Sequence, residues 1–193
     1  MNFLAHLHIA DHCQSSLLGN LLGDFVKGDP NKLYSPGVAK GILLHRFVDS
    51  FTDNHEIMKA CKQHFDPELR RFAPIAMDMF WDHCLAKRWS EYHCEPLSRF
   101  VDYAEQQISA TDEPLPERFV LMSAHMWQGR WLESYRELDN IKYALERMSL
   151  RSMRMTPLME CGQQLEQNYE TFSRLFSDLY PDVLQQTRKQ VTE

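Results

Sequence analysis

Apolar residues recur at helical spacing along nearly the whole chain, and nowhere do they alternate between hairpin turn signals. Leu17, Leu18, Leu21, Leu22 and Phe25 form one such stripe, which ends at Gly28. Ser35-Pro36 reads as an N-cap and first helical residue for a helix to about Asp53. A further helix is expected from Asn54 to His64. Another starts at Asp66-Pro67 and is interrupted or restarted at Pro74 before "IAMDMFWDHCLAKRW". Pro96 to Ile108, Phe119 to Trp131 and Ser134 to Met148 read as helices, and "TDEPLPE" as a loop. Thr156-Pro157 is expected to cap a long final helix, and the polar tail from about Arg188 to fray. With only 7 glycines, no repeat and no low-complexity linker, residues 1–193 read as a single all-α domain, a helical bundle.

A net charge of −6 argues against a general nucleic-acid binder, which needs a basic face to neutralise phosphates, though a local basic patch is compatible with it. No apolar run approaches the ~20 residues that span a bilayer. The first residues lack a basic n-region and carry histidines where a signal peptide carries aliphatics, so the chain reads as a mature cytoplasmic protein. Five cysteines, an odd number with no C-x-x-C pair, read as reduced thiols.

Ionisable residues among aliphatics are the feature the fold alone does not explain. In "GILLHRFVDSFTDNH", His45 and Asp49 are one helical turn apart, and Asp53 lies ~80° around from His45. That spacing lets one helix offer imidazole and carboxylate to a divalent cation. An internal His–Asp pair or a solvated face would have the same spacing. In "GNLLGDFVKG", Asp24 borders the leucine stripe among Gly19, Gly23 and Gly28. Glycines cost helix stability, so their presence points to close approach by a ligand or by another helix. "DMFWDHCLAKRW" offers Asp78 and Asp82 one turn apart, with His83 ~100° from Asp82. There, too, Asp82 as a cap and His83 as a packed side chain would fit. In "AHLHIADH", a helix turns His6 and His8 to opposite sides, so one of them at most joins a site, and His6 is the choice. Unpaired buried charge is expensive, so these groups need one another or a cation, and a helical metal site accounts for all of them together.

"MNFLAHLHIA", "GNLLGDFVKG", "GILLHRFVDSFTDNH" and "APIAMDMFWDHCLAKRWS" closely resemble the bacterial acyl carrier protein phosphodiesterase family, in order and over nearly the whole chain. The resemblance implies hydrolysis of the phosphodiester joining 4'-phosphopantetheine to a serine of holo-acyl carrier protein. It also implies a divalent cation, manganese or magnesium, and a distant kinship with the all-α HD-domain phosphohydrolases. Asp24, His45, Asp49, Asp53, Asp82 and His83 fall within the family's motifs. The chain has no His-Asp dipeptide, so its ligand set cannot be copied from HD proteins.

The expected site has Asp24, His45, Asp49 and Asp82 around the cation, with Asp53 and Asp78 as additions. Asp24 also takes part in the chemistry, His83 or His6 acts as general acid, and Arg46 binds a phosphate oxygen. The partner expected is holo-acyl carrier protein, with neither nucleic acid nor membrane. Carrier proteins are acidic around the modified serine, so docking is expected on basic residues: Lys87 and Arg88, or Arg147, Arg151 and Arg154. Two competing readings are an HD-type phosphohydrolase acting on a nucleotide and a non-catalytic helical binding protein.

Overall fold

The computed structural model describes residues 1–192. Its first five α-helices are α1 (Phe3–His12), α2 (Leu17–Leu22), α3 (Pro36–Asn54), α4 (Glu56–Gln63) and α5 (Ala73–Lys87). After them come α6 (Trp89–Tyr92), α7 (Leu97–Ser109), α8 (Glu117–Gln128), α9 (Trp131–Ser134) and α10 (Leu138–Ser149). A 3-10 segment, Met153–Glu160, precedes α11 (Cys161–Gln167) and α12 (Tyr169–Thr192). No strand occurs among the described residues, and the all-α reading holds.

A helix that is apolar on every side belongs in the interior. α5 is that helix: eleven of its residues are buried, Phe80 and Trp81 completely. α1, α4, α10, α11 and α12 pack around it. Aromatic rings line the α5–α12 seam, with Trp81 stacked on Phe176 and Phe80 set edge-on to Phe172.

α2 and α3 pack so closely that side chains are excluded between them. A Cβ on Gly19 would lie 2.4 Å from the Val38 carbonyl oxygen and 2.8 Å from Gly41 Cα. Those two glycines therefore serve helix contact. Gly28 turns the chain at φ +76°, with open space where a Cβ would be.

Several boundaries differ from the periodicity. The stripe from Leu17 ends at Leu22, because the amides of Phe25 and Val26 both turn back to the Leu22 carbonyl. Residues after Asp66 form turns, not a helix, and α5 begins at Ala73 with Pro74 in its first turn. α10 begins at Leu138, not at Ser134. Pro157 lies inside the 3-10 segment, and the final helix starts only after Asn168. The tail expected to fray continues as helix to Thr192, whose hydroxyl bonds the carbonyls of Arg188 and Lys189. Cys13, Cys61, Cys84 and Cys161 are buried free thiols, and burial pushes the last three up to about 12, so they stay protonated packing groups.

Candidate metal centre

α1 and α3 bring two imidazoles face to face. The rings of His6 and His45 stack with centroids 3.8 Å apart. Both are buried, at 1% and 3% exposure, and form the floor of the site. His6 Nε2 lies 3.0 Å from Asp49 Oδ1, and His45 Nε2 lies 3.0 Å from Asp49 Oδ2. Asp49 thus bridges the two rings with both oxygens. Asp24, in the turn after α2, places Oδ1 3.4 Å from the same His45 nitrogen. The carboxylates form the open rim, with side chains 37% exposed at Asp49 and 57% at Asp24.

The orientation of His45 is set from behind. Its Nδ1 donates to the Asn20 carbonyl at 2.7 Å, since a carbonyl oxygen can only accept. Nε2 therefore presents a lone pair, or a second proton, to two carboxylates. Gly23 makes room for the ring: a Cβ there would fall 2.1 Å from His45 Cγ and Cδ2. The three glycines around Asp24 thus do separate work, with Gly19 meeting a helix, Gly23 a site histidine and Gly28 a turn.

Electrostatics follow from this crowding. Burial pulls the His45 imidazole down, but hydrogen bonds to Asp24 and Asp49 and their charges outweigh it and push it up to about 9. Burial and the neighbouring His45 hold His6 down at about 4, against the pull of Asp49. Burial raises Asp49, yet the bonds from His45 and His6 carry it well below the usual carboxylate range. The His45 hydrogen bond lowers Asp24 as well. A positive charge is thus wanted between these groups, either a proton on His45 or a cation.

His6, His45 and Asp49 each offer a ligand atom, all within 4.8 Å of one another. Two imidazole nitrogens and a carboxylate oxygen, with Asp24 at the mouth, suit manganese, iron or zinc. The Nδ1–carbonyl bond of His45 is the kind of second contact that orients a ligating histidine. The donor set therefore fits a divalent cation.

Asp78 approaches from α5. Its Oδ1 holds the Met1 amino group at 2.6 Å, and that amino group is 3.7 Å from Asp49. Burial raises the Asp78 carboxyl to about 6 despite this neighbour. Asp53, one turn beyond Asp49, is exposed outside the cluster. The Met1 amino group and the Asn20 carbonyl carry no sequence motif, and Gly23 is marked in the sequence only as a point of close approach.

Three more expected site residues lie elsewhere. Asp82 is fully buried and caps α1 from another helix: Oδ2 accepts from Leu4 N at 2.7 Å, Oδ1 from Ala5 N at 3.0 Å and Asn2 N at 3.3 Å. Its oxygens are committed to backbone, so it is not a ligand of this cluster, and burial raises it to about 7 against those bonds. His83 donates through Nδ1 to the Tyr135 carbonyl at 2.8 Å and accepts through Nε2 from the Tyr169 hydroxyl at 2.9 Å. Both nitrogens are thus used away from the His6–His45–Asp49 cluster. Arg46 spends both terminal nitrogens on backbone, donating to the Val26 and Gly28 carbonyls at 2.7 and 2.8 Å. It ties down the loop that follows Asp24, so neither terminal nitrogen is turned to the cluster. His8 points away from His6 as the helix requires, with its ring nitrogens against the Tyr180 hydroxyl and the Tyr92 carbonyl.

The comparison with known proteins decides the family. A sequence profile described as acyl carrier protein phosphodiesterase matches residues 1–183. The chain belongs to the acyl carrier protein phosphodiesterase family. A relative of that name from an Enterobacter species is 43% identical over 189 residues, covering 97% of this chain and 98% of its own. One from Pectobacterium atrosepticum is 43% identical over 191 residues, covering 98% and 99%. One from Klebsiella pneumoniae is 42% identical over 185 residues, covering 95% and 96%. No solved structure matches the chain significantly. The matched region runs through all the elements that build the cluster. No helix among the described residues is long and apolar enough to cross a membrane.

Proposed function

We propose that the His6–His45–Asp49 cluster, with Asp24 at its mouth, is the divalent-cation site at which this phosphodiesterase releases 4'-phosphopantetheine from holo-acyl carrier protein. The observation that carries this reading is the approach of His6 Nε2, His45 Nε2 and an Asp49 oxygen to within 4.8 Å of one another beneath an open carboxylate rim.

A manganese ion held there would supply Lewis acidity toward a phosphoryl oxygen and toward water. The chain's own groups do the rest. Asn20 holds the His45 ring with its Nε2 toward the pocket. Asp49 joins both imidazoles and keeps its negative charge through the working pH range. Asp24 uses Oδ1 on His45; its Oδ2 has no protein partner among the described residues and accepts a hydrogen bond from the attacking water. In hydrolysis the water oxygen bonds to phosphorus, the bond from phosphorus to the serine oxygen breaks, and the serine oxygen takes a proton. His6 and His45 cannot hold a cation and deliver that proton through the same nitrogen. With His83 outside the pocket, the proton comes from water at the exposed rim.

The test couples metal content to turnover. Purified protein should carry or take up manganese, lose hydrolysis of holo-carrier on chelation, and regain it on add-back. His45→Ala, Asp49→Ala and Asp24→Ala should each stay folded by circular dichroism. The first two should weaken manganese binding by calorimetry at least as much as the roughly 10–100-fold that loss of an outer-shell partner costs. Unchanged manganese affinity in both would mark the cluster as a simple His–Asp pair. Hydrolysis of nucleotides in preference to holo-carrier would reassign the substrate.

A further inference from the structure

α10 and the 3-10 segment after it carry a surface that the fold does not use. The buried side of α10 is Ile141, Leu145 and Ser149. Tyr143, Arg147 and Leu150 are exposed at helical spacing, and Arg151, Met153, Arg154 and Met159 are exposed beyond them. Exposed single hydrophobics are ordinary, but concentration is not. Four of the ten large apolar residues exposed among the described residues fall here: Tyr143 at 61%, Leu150 at 71%, Met153 at 94% and Met159 at 49%. From Arg147 to Met159 there are three arginines and no acid, in a chain of net charge −6; Glu146 and Glu160 flank the stretch. Nearby Lys142 is paired with Asp139 and Glu166. None of the three arginines has an ion-pair partner among the described residues.

The alternative basic pair is engaged within the protein. Lys87 donates to the Tyr169 hydroxyl at 2.9 Å, and Arg88 donates to Ser177 at 2.8 Å while lying over Phe176.

We infer that the exposed face of α10 and the 3-10 segment, Tyr143 to Met159, is where the acidic acyl carrier protein docks. This rests on the substrate proposed above. Charge complementarity selects the occupant: an acidic partner is repelled by most of this surface and attracted here, within a Debye length of about 8 Å at physiological salt. Methionine side chains adapt to a partner's apolar face, and a 3-10 turn is more deformable than an α-helix. α10 packs on α5, the helix that brings Asp78 beside Asp49.

The experiment measures binding without chemistry. Labelled apo-carrier is titrated by fluorescence anisotropy at low and physiological salt, against wild type, Arg147→Glu/Arg151→Glu, Leu150→Asp/Met153→Asp, and Arg99→Glu/Arg174→Glu as an equal charge change elsewhere. Docking here predicts binding weaker on the order of tenfold in the first variant, chiefly at low salt. It predicts weaker binding at both salts in the second, and wild-type binding in the third. Hydrolysis of bis(p-nitrophenyl) phosphate should be unchanged in all three. Wild-type binding by the first variant, equal loss in the third, or no carrier binding at all overturns the proposal. So does concentration-dependent dimerisation of wild type, by sedimentation, that the second variant abolishes, because the face would then hold a second copy. Carrier binding through this face with no hydrolysis of holo-carrier would overturn the substrate reading and leave the docking surface standing.

Discussion

Gly23→Ala isolates the geometry of the site from the stability of the fold. Gly23 has φ −50° and ψ −41°, ordinary right-handed helical angles, so alanine meets no backbone strain. By narrowing the unfolded chain alone it would add ~0.4–1 kcal/mol of stability. Its Cβ, however, would lie 2.1 Å from His45 Cγ and Cδ2 and 2.7 Å from His45 Cβ, where 3.4 Å begins ordinary contact. The imidazole must retreat by about 1.3 Å, the difference between those two separations. That motion breaks the 2.7 Å bond to the Asn20 carbonyl and draws Nε2 away from Asp49. A hydrogen bond of this charged kind contributes ~1.5–3 kcal/mol, so the net loss of stability is on the order of 1–2 kcal/mol. A displacement of ~1 Å at a reacting centre costs about 100-fold in rate. The assay is conversion of holo- to apo-carrier by intact mass, with urea melts and manganese titration alongside. Gly37→Ala, where a Cβ meets nothing within 4 Å, is the control. If Gly23→Ala turns over holo-carrier at the wild-type rate with its fold intact, the position of His45 is not what the reaction needs.

Two further outcomes follow from groups around the site. Asp82→Ala strands the buried amides of Leu4 and Ala5, and should lower stability by on the order of 3 kcal/mol in urea melts, with Asp82→Asn milder because its amide oxygen still accepts. An Asp82→Ala protein that melts like wild type while losing manganese would return Asp82 to the ligand set. His8 supplies a pH test: burial holds it at about 4 against an unfolded value of 6.5, so the unfolded chain binds the extra proton between those values. Its contribution is complete above pH 6.5 and is lost as pH falls toward about 4, by on the order of 3 kcal/mol. His8→Gln should flatten that acid slope relative to wild type in urea melts at pH 5 and 7, and an unchanged slope would refute the assignment.

The helices were legible because burial imposes a period on sequence, and α3, α5 and α7 fall close to where their apolar stripes and prolines place them. The same geometry made His45 and Asp49 neighbours one turn apart and sent His6 and His8 to opposite sides of α1. Such inferences live within one helix, where spacing alone sets direction. Helix ends were less legible, since α2 stops where carbonyls find distant or irregular partners.

What joins one helix to another was decided by tertiary packing. Asp82 and His83 are adjacent, yet one caps α1 from 77 to 80 residues away and the other bonds the chain at Tyr135 and Tyr169. Two residues that diverge by ~100° face different neighbours, and no spacing rule says which neighbours those are. Asp24 reached His45 because Gly19 and Gly41 let α2 and α3 close on each other, and Gly23 left room for the ring. Arg46, read as a phosphate ligand, sits on the same helix as His45 but faces the loop carbonyls of Val26 and Gly28. Residue type and helical period thus determined which groups this chain holds and which side of each helix bears them. The choice of ligand, cap or clamp was made by helix contacts between residues far apart in the chain, because a side chain's role depends on what stands opposite it.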